Sequence, residues 1–126
     1  MADATGPVIL VADDSATIRL MIKMRLTMKG YRILEAGSGA EAVEQARTAQ
    51  PALLLCDYFL GDMTAEQVLR ALKGDAAVLP LPVIVISGND AEEAARACQS
   101  LGASGFLLKP YESQDLLDQV QAALGG

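Results

Sequence analysis

Three short segments made only of apolar residues limit the folds available to this chain more than any other feature. They cover residues 8–12, 52–56 and 83–86. A strand with one face in water alternates apolar and polar residues, whereas a strand covered on both faces does not. Continuous apolar strands separated by helical stretches therefore predict a parallel sheet with helices packed on both of its sides.

Helical stretches lie between these strands. Apolar residues at helical spacing, together with helix-start signals, predict helices over residues 15–29, 38–49, 64–73, 90–101 and 113–124. Ser38 with Glu41, and Thr64 with Gln67, have the spacing of a capping box, and Asp90 is expected to cap the fourth helix. Shorter strands over residues 31–36 and 105–108 complete the alternation. The sequence thus predicts one α/β domain, residues 1–126, with five strands and five helices.

Composition excludes several functional classes. Among 126 residues there is no histidine, so this chain cannot form a Ser-His-Asp triad, a Cys-His pair or a histidine metal site. A net charge of −6 disfavours direct binding to nucleic acid. Cys56 and Cys98 are expected to be reduced and structural. Because no apolar run reaches about 18 residues and the N-terminus lacks a basic signal segment, we expect a cytoplasmic protein that does not enter a membrane.

Polar side chains follow four of the predicted strands where each strand ends. Asp13 and Asp14 follow the first strand, Asp57 the third, Ser87 the fourth and Lys109 the fifth. Since the carboxyl ends of parallel strands meet at one edge of a sheet, we expect these side chains to share one crevice. Singly, each has an ordinary explanation: Asp14 could cap the first helix, and Asp57 and Ser87 could belong to turns. Their convergence is what indicates a functional site.

The residue types in this crevice suit phosphoryl transfer. Three aspartates close together repel one another and raise the pKa of at least one of them. A divalent cation and Lys109 would relieve that repulsion, and Mg²⁺ fits because it prefers a few carboxylates and shares its shell with phosphate oxygens. A carboxylate is already ionised at neutral pH, so it can attack a phosphoryl group without a general base.

Four segments of the chain resemble the receiver domains of two-component response regulators, the CheY-like family. They are VILVADD (8–14), LLLCD (53–57), VIVISG (83–88) and FLLKPY (106–111). The resemblance extends from about residue 8 to residue 124. It implies a flavodoxin-like, doubly wound fold with strand order 2-1-3-4-5.

The resemblance also implies the chemistry of the acidic residues. Asp57 would accept a phosphoryl group from a phosphohistidine donor, which is a histidine kinase or a histidine phosphotransfer protein. Asp13, Asp14, Asp57 and the backbone carbonyl of Phe59 would bind Mg²⁺. The chain would take part in its own phosphorylation and dephosphorylation, but it would not be an enzyme acting on another substrate.

The remaining site residues would detect the phosphoryl group. Ser87 would donate a hydrogen bond to it and Lys109 would pair with it, while the Lys109–Pro110 peptide bond would be cis. Ser87 and Phe106 would move on phosphorylation, which would change the surface of the fourth helix, fifth strand and fifth helix for a downstream protein target. The protein would be a monomer or a phosphorylation-dependent dimer.

The loop after Asp57 departs from the family pattern. Gly61 and Ala65 stand where the family usually has proline and glycine. Bulky Phe59 beside the metal position is expected to restrict access of water and to alter the lifetime of the phosphate.

The first helix has two apolar sides. Ile18, Met21, Ile22, Arg25 and Leu26 are expected on one side, facing the core. Leu20, Met24 and Met28 lie roughly opposite, where they are either covered by a neighbouring helix or form a docking face for the phosphodonor.

Three other functions compete with a stand-alone receiver acting as a switch. The chain could be a phosphotransfer intermediate or phosphate sink in a relay. It could be a degenerate receiver that only binds partners, although the complete acid, hydroxyl and lysine set argues against this. A dehalogenase-type phosphatase would need Asp-x-Asp after its first strand and a cap domain, whereas Asp13 and Asp14 are adjacent.

Overall fold

The structure is a computed structural model that describes residues 6–78 and 80–125. Residues 1–5, 79 and 126 lie outside the described residues, and with them both ends of the domain expected over residues 1–126. The existence of one domain over that full range stays a prediction. Within the described residues, no helix combines the length and the apolar character that crossing a bilayer requires.

Five parallel strands form one sheet in the order β2-β1-β3-β4-β5, as the resemblance implied. The strands are β1 (Val8–Ala12), β2 (Arg32–Ala36), β3 (Leu53–Asp57), β4 (Val83–Ser87) and β5 (Gly105–Leu108). The helices are α1 (Ala16–Thr27), α2 (Gly39–Ala49), α3 (Ala65–Lys73), α4 (Glu92–Ala97) and α5 (Ser113–Ala123). The predicted α/β class is confirmed.

The apolar composition of the central strands follows from two separate cores, one on each face of the sheet. Leu10 and Leu54 point to the face covered by α2, α3 and α4, where they pack with Val68 of α3. Their neighbours Ile9 and Leu53 point to the opposite face, which α1 and α5 cover. Because successive side chains of a strand alternate between faces, a strand buried on both sides must be apolar at every position.

The strand register brings the polar strand ends together. Ala12 at the end of β1 lies opposite Cys56 of β3, and Asp57 lies opposite Ile86 of β4. Ser87 in turn lies opposite Leu108 of β5. Each polar residue therefore stands within about one residue of the same level along the sheet, which is the edge where ligands bind in such folds.

Helix starts agree with the sequence patterns in part. Ser15 caps α1 by accepting a hydrogen bond from Ile18 N, so Asp14 is free of the capping role it could have had. Thr64 and Gln67 form the predicted capping box of α3. At α2 only half of the predicted box forms: Ser38 accepts from Glu41 N, but the Glu41 carboxylate accepts from Gly37 N (2.7 Å).

The fourth helix is shorter than predicted. In place of one helix over residues 90–101, a 3-10 turn (Asn89–Ala91) precedes α4, and a second (Cys98–Leu101) follows it. Asp90 makes no capping hydrogen bond, so its predicted capping role was wrong. Such tight turns are common at helix ends, where they satisfy backbone groups that lack an α-helical partner.

The outer side of α1 also differs from the expectation. Ile22 and Leu26 are buried, but Met21 is exposed and does not contribute to the core as predicted. Leu20, Met24 and Met28 are exposed too, and Met28 keeps 85% of its surface. Coverage of these side chains by a neighbouring helix, one of the two alternatives, does not occur within the described residues.

Candidate functional site

Three carboxylates form a cluster at the carboxyl edge of the sheet. One oxygen each from Asp13, Asp14 and Asp57 lies within 4.8 Å of the others. Asp13 is buried, Asp57 is half-buried and Asp14 is exposed. Asp13 and Asp14 reach this position because β1 ends at Ala12, and Asp57 because it is the last residue of β3. We call Asp13, Asp14 and Asp57 the acid cluster.

Lys109 completes the charge arrangement. Its Nζ lies 2.8 Å from Asp57 Oδ1, and the lysine follows directly on β5, two strands away from β3. Lys109 N also donates to Ser87 O (2.7 Å), which links the ends of β4 and β5. The Lys109–Pro110 peptide bond is cis, as the resemblance implied.

Burial and neighbouring charges perturb these groups in directions that favour binding of a cation. Burial raises the pKa of Asp57, and contact with Lys109 offsets this only in part. Burial also raises the pKa of Asp13, and the nearby Asp57 charge adds to the effect. For Lys109, burial lowers the pKa, but the hydrogen bond and charge of Asp57 outweigh it and leave the pKa raised. The lysine is therefore positively charged at neutral pH, and the acid cluster holds unrelieved negative charge.

Three further predicted site residues, Ser87, Phe106 and Phe59, differ in how far they are buried. Ser87 is buried, and its hydroxyl donates to Gly88 O (2.7 Å). Phe106 is half-buried, with the guanidinium of Arg96 4.5 Å from the centre of its ring. Phe59 lies on the loop after β3, with its ring half exposed and edge-on to Tyr58. The structure thus leaves the Phe59 side chain accessible from solvent.

Two residues near the site, Arg19 and Asp62, were not predicted from the sequence. Arg19 Nη1 donates to the backbone oxygen of Asp13 (2.6 Å), while its Nε pairs with Glu35 (3.0 Å). Asp62, on the loop after β3, binds the first turn of α2. Arg19 follows Asp14 by little more than one helical turn, which is a weak signal. No local pattern reveals the contact of Asp62, because its partners are 22 and 23 residues away.

The sequence profile of the response regulator receiver domain matches residues 9–121. The chain belongs to this family. Among its relatives, protein PilH of Pseudomonas aeruginosa is 31% identical over 94% of this chain and 98% of its own length. The phosphate regulon transcriptional regulatory protein PhoB of the same species is also 31% identical, but this chain spans only about half of it, 52%. The solved structure of the chemotaxis response regulator CheY4 of Vibrio cholerae superposes with a TM-score of 0.86, at 28% identity over 95% of this chain and all of the other.

The acid cluster corresponds in its chemistry to the metal site of the receiver family. Receiver domains are signalling proteins that bind Mg²⁺ at an acidic pocket, and they interact with histidine kinases or phosphotransfer proteins and with downstream targets. The donor set of this chain fits that ion: three carboxylates within 4.8 Å offer hard oxygen ligands, while the exposure of Asp14 leaves room for water. Asp13, Asp14 and Asp57 are the residues that could hold it.

Proposed function

We propose that this receiver domain is a phosphorylation-controlled switch that accepts a phosphoryl group on Asp57 from a phosphohistidine donor. The observation that carries the proposal is the contact of Lys109 with Asp57 inside the acid cluster. It combines a half-buried carboxylate, a positive charge and a set of oxygen ligands in one place. These are the elements of in-line phosphoryl transfer by charge stabilisation.

In the transfer, an Asp57 carboxylate oxygen forms a bond to phosphorus while the bond from phosphorus to the donor's imidazole nitrogen breaks. The electron pair of the broken bond stays on that nitrogen, which then takes up a proton. Bound Mg²⁺ supplies charge neutralisation for the phosphoryl oxygens. Lys109, 2.8 Å from Asp57, would contribute a second positive charge, and Asp13 and Asp14 would hold the ion together with Asp57 and the carbonyl of Phe59.

The output would leave the site through Ser87 and Phe106. In the structure Ser87 donates to Gly88 O, and a phosphoryl oxygen would offer a more strongly charged acceptor. A moving hydroxyl leaves space that Phe106 can enter, at the cost of its stacking on Arg96. The surface of α4, β5 and α5 would change with it, and a downstream target would bind one of its two forms.

The exposed side of α1 supports a docking surface for the phosphodonor. Leu20, Met24 and Met28 line a shallow apolar groove on a helix that begins two residues after Asp14. Half of the ten basic residues of this acidic chain lie between residues 19 and 32, with no acidic residue among them. Glu35 pairs with two of them, Arg19 and Lys23, so the surface stays positive. A donor with an apolar, acidic face beside its phosphohistidine is complementary to it.

The same residues serve equally in a phosphotransfer intermediate or a phosphate sink, where the phosphoryl group passes on or is hydrolysed. A degenerate receiver would keep the fold but would not be phosphorylated. The contact between Lys109 and Asp57 favours a receiver that can be phosphorylated.

Acetyl phosphate with Mg²⁺, followed by intact-protein mass spectrometry, tests the proposal. We expect the mass of one phosphoryl group on the wild type, none on Asp57→Asn, and none on the wild type when EDTA removes the ion. Asp118→Asn, a change to an exposed carboxylate on α5, is the matched control and should react as the wild type does. Equal labelling of the wild type and Asp57→Asn would show that Asp57 is not the acceptor.

A further inference from the structure

The loop between β3 and α3, residues 58–64, is built as a tight hairpin. Phe59 and Thr64 pair as an antiparallel bridge, Leu60 N donates to Met63 O (3.0 Å), and Ala65 N donates to Tyr58 O (2.8 Å). These bonds make the backbone at Phe59 and the tip of the loop, Gly61 and Asp62, parts of one unit. We therefore expect a displacement of the tip to shift the backbone of Phe59.

The tip is held by α2, an element that contributes nothing to the acid cluster. Asp62 Oδ1 accepts from Gly39 N (2.7 Å), and Asp62 Oδ2 accepts from Ala40 N (3.0 Å). The third amide of the same turn, Glu41 N, is taken by the Ser38 hydroxyl. A carboxylate that bridges two amides at the positive end of a helix makes charge-assisted hydrogen bonds. The loop and α2 are thereby joined at two points.

Close packing reinforces this junction. A side-chain carbon added at Gly39 would overlap with Met63 Cγ, so the loop lies against α2 and Met63 would have to move to admit any larger residue there. Gly61 has a φ of +85°, which proline cannot adopt. A carbon added at Gly61 would lie 3.6 Å from Asp14 Oδ2, so the loop tip is in reach of the acid cluster.

We propose that Asp62 is a positioning residue for the metal site, acting through the loop rather than as a ligand. By tying the loop tip to α2, it fixes the Phe59 carbonyl relative to Asp13 and Asp14. The inference rests on the proposed function, because the Phe59 carbonyl matters only if Mg²⁺ binds there. It adds that α2 and the metal site are coupled, so that loosening either one weakens the other.

Mg²⁺ titration of ¹⁵N-labelled protein, followed by amide chemical shifts, measures this coupling without any turnover. For Asp62→Ala we expect the Mg²⁺ dissociation constant to rise by about tenfold, the lower end for residues that orient metal ligands. Asp62→Asn keeps one acceptor oxygen for α2 and should show an intermediate rise. Hydrogen exchange should report faster exchange at the Gly39 and Ala40 amides in both variants, in the order Ala before Asn.

Gly39→Ala tests the junction from the side of α2 and leaves the Asp62 carboxylate in place. It must displace Met63, so we expect it to weaken Mg²⁺ binding as well. Asp115→Asn is the matched control, since Asp115 accepts from a backbone amide, Glu112 N, at the start of α5. It should leave the dissociation constant within twofold of the wild type, against the tenfold change expected for Asp62→Ala.

The outcomes separate this inference from the proposed function. Equal dissociation constants for Asp62→Ala and the wild type, with faster exchange at Gly39 and Ala40, would overturn the positioning role and leave phosphorylation of Asp57 untouched. Equal weakening by Asp62→Ala and Asp62→Asn, with no effect of Gly39→Ala, would assign the effect to charge alone and also overturn it. Absence of Mg²⁺ binding by the wild type would overturn the proposed function itself.

Discussion

Asp13→Asn should make the protein more stable at neutral pH when no divalent ion is present. Asp13 is 5% exposed, and its carboxylate oxygen lies within 4.8 Å of oxygens from Asp14 and Asp57. Two unit charges at 4.8 Å repel by ~3.5 kcal/mol at an effective dielectric constant of ~20. Asparagine removes that repulsion but keeps an oxygen that can accept the hydrogen bond Asp13 receives from Ser15 N (2.9 Å).

The net gain is smaller than the pairwise repulsion. Lys109 already offsets part of the charge of Asp57, and cancelling roughly half of the repulsion leaves about 2 kcal/mol. For a domain of this size, a gain of that order raises Tm by about 6–10 °C. Asp14→Asn is the matched control: Asp14 belongs to the same cluster but is exposed, so water screens its charge and the gain should be much smaller.

Urea unfolding of Asp13→Asn and wild type in EDTA, from about pH 7 to about pH 4, measures the difference and its origin. Burial and Asp57 raise the pKa of Asp13 in the folded state above its ordinary value of 3.8. The charge of Asp13 therefore destabilises the folded state fully when the pH is above the folded-state pKa. This destabilisation is lost as the pH falls toward the ordinary pKa of 3.8. The gain should shrink along that range, and it should also shrink with Mg²⁺, because the wild type has one more carboxylate to bind the ion and is stabilised more by it. A gain that does not change with pH, or a loss of stability at about pH 7, would refute the reasoning.

Three further predictions concern the surroundings of the site. Phe59→Asn should accelerate dephosphorylation of the phosphorylated protein several-fold, because the smaller polar side chain admits water; an unchanged rate measured by loss of the phosphoryl mass would contradict this. The double variant Leu20→Asp, Met24→Asp should abolish transfer from a phosphohistidine donor. Because both side chains are exposed, it should leave the reaction with acetyl phosphate unchanged. Normal transfer from the donor would exclude α1 as its docking surface. Arg96→Ala should lower the free energy of unfolding in urea by about 0.5–1 kcal/mol more than Arg70→Ala does. Each arginine pairs with a glutamate four residues earlier, but within the described residues only Arg96 stacks on an aromatic ring. Equal losses of stability in the two variants would show that the stacking contributes nothing.

Much of the site was predictable because it depends on strand ends. In a parallel sheet, the last residue of each strand reaches the same edge whatever the details of helix packing. The convergence of Asp13, Asp57 and Lys109 thus followed from the predicted strands 8–12, 52–56 and 105–108 and the polar residue after each of them. The acid cluster and the 2.8 Å contact of Lys109 with Asp57 confirm that they meet.

Helix details were less predictable, since they depend on what packs against each helix. Met21 has the spacing of a core residue, but the described part of the structure leaves it exposed while Ile22 and Leu26 fill the space against the sheet. The fourth helix lost its first and last turns to 3-10 geometry around buried Ala91 and Cys98. Propensity favours a helix over the whole alanine-rich segment, and tertiary packing decides where it tightens.

The layer architecture and the composition of the acid cluster could be predicted from the amino-acid sequence, because apolar periodicity and strand ends are local features that do not depend on the details of helix packing. Two contacts around the site became visible only in the folded molecule: Arg19 donates to the Asp13 carbonyl, and Asp62 accepts from the first turn of α2. These contacts join segments that are distant along the chain or lie on different elements. These contacts form only when the sheet and helices have packed, so residue spacing along the chain could not predict them.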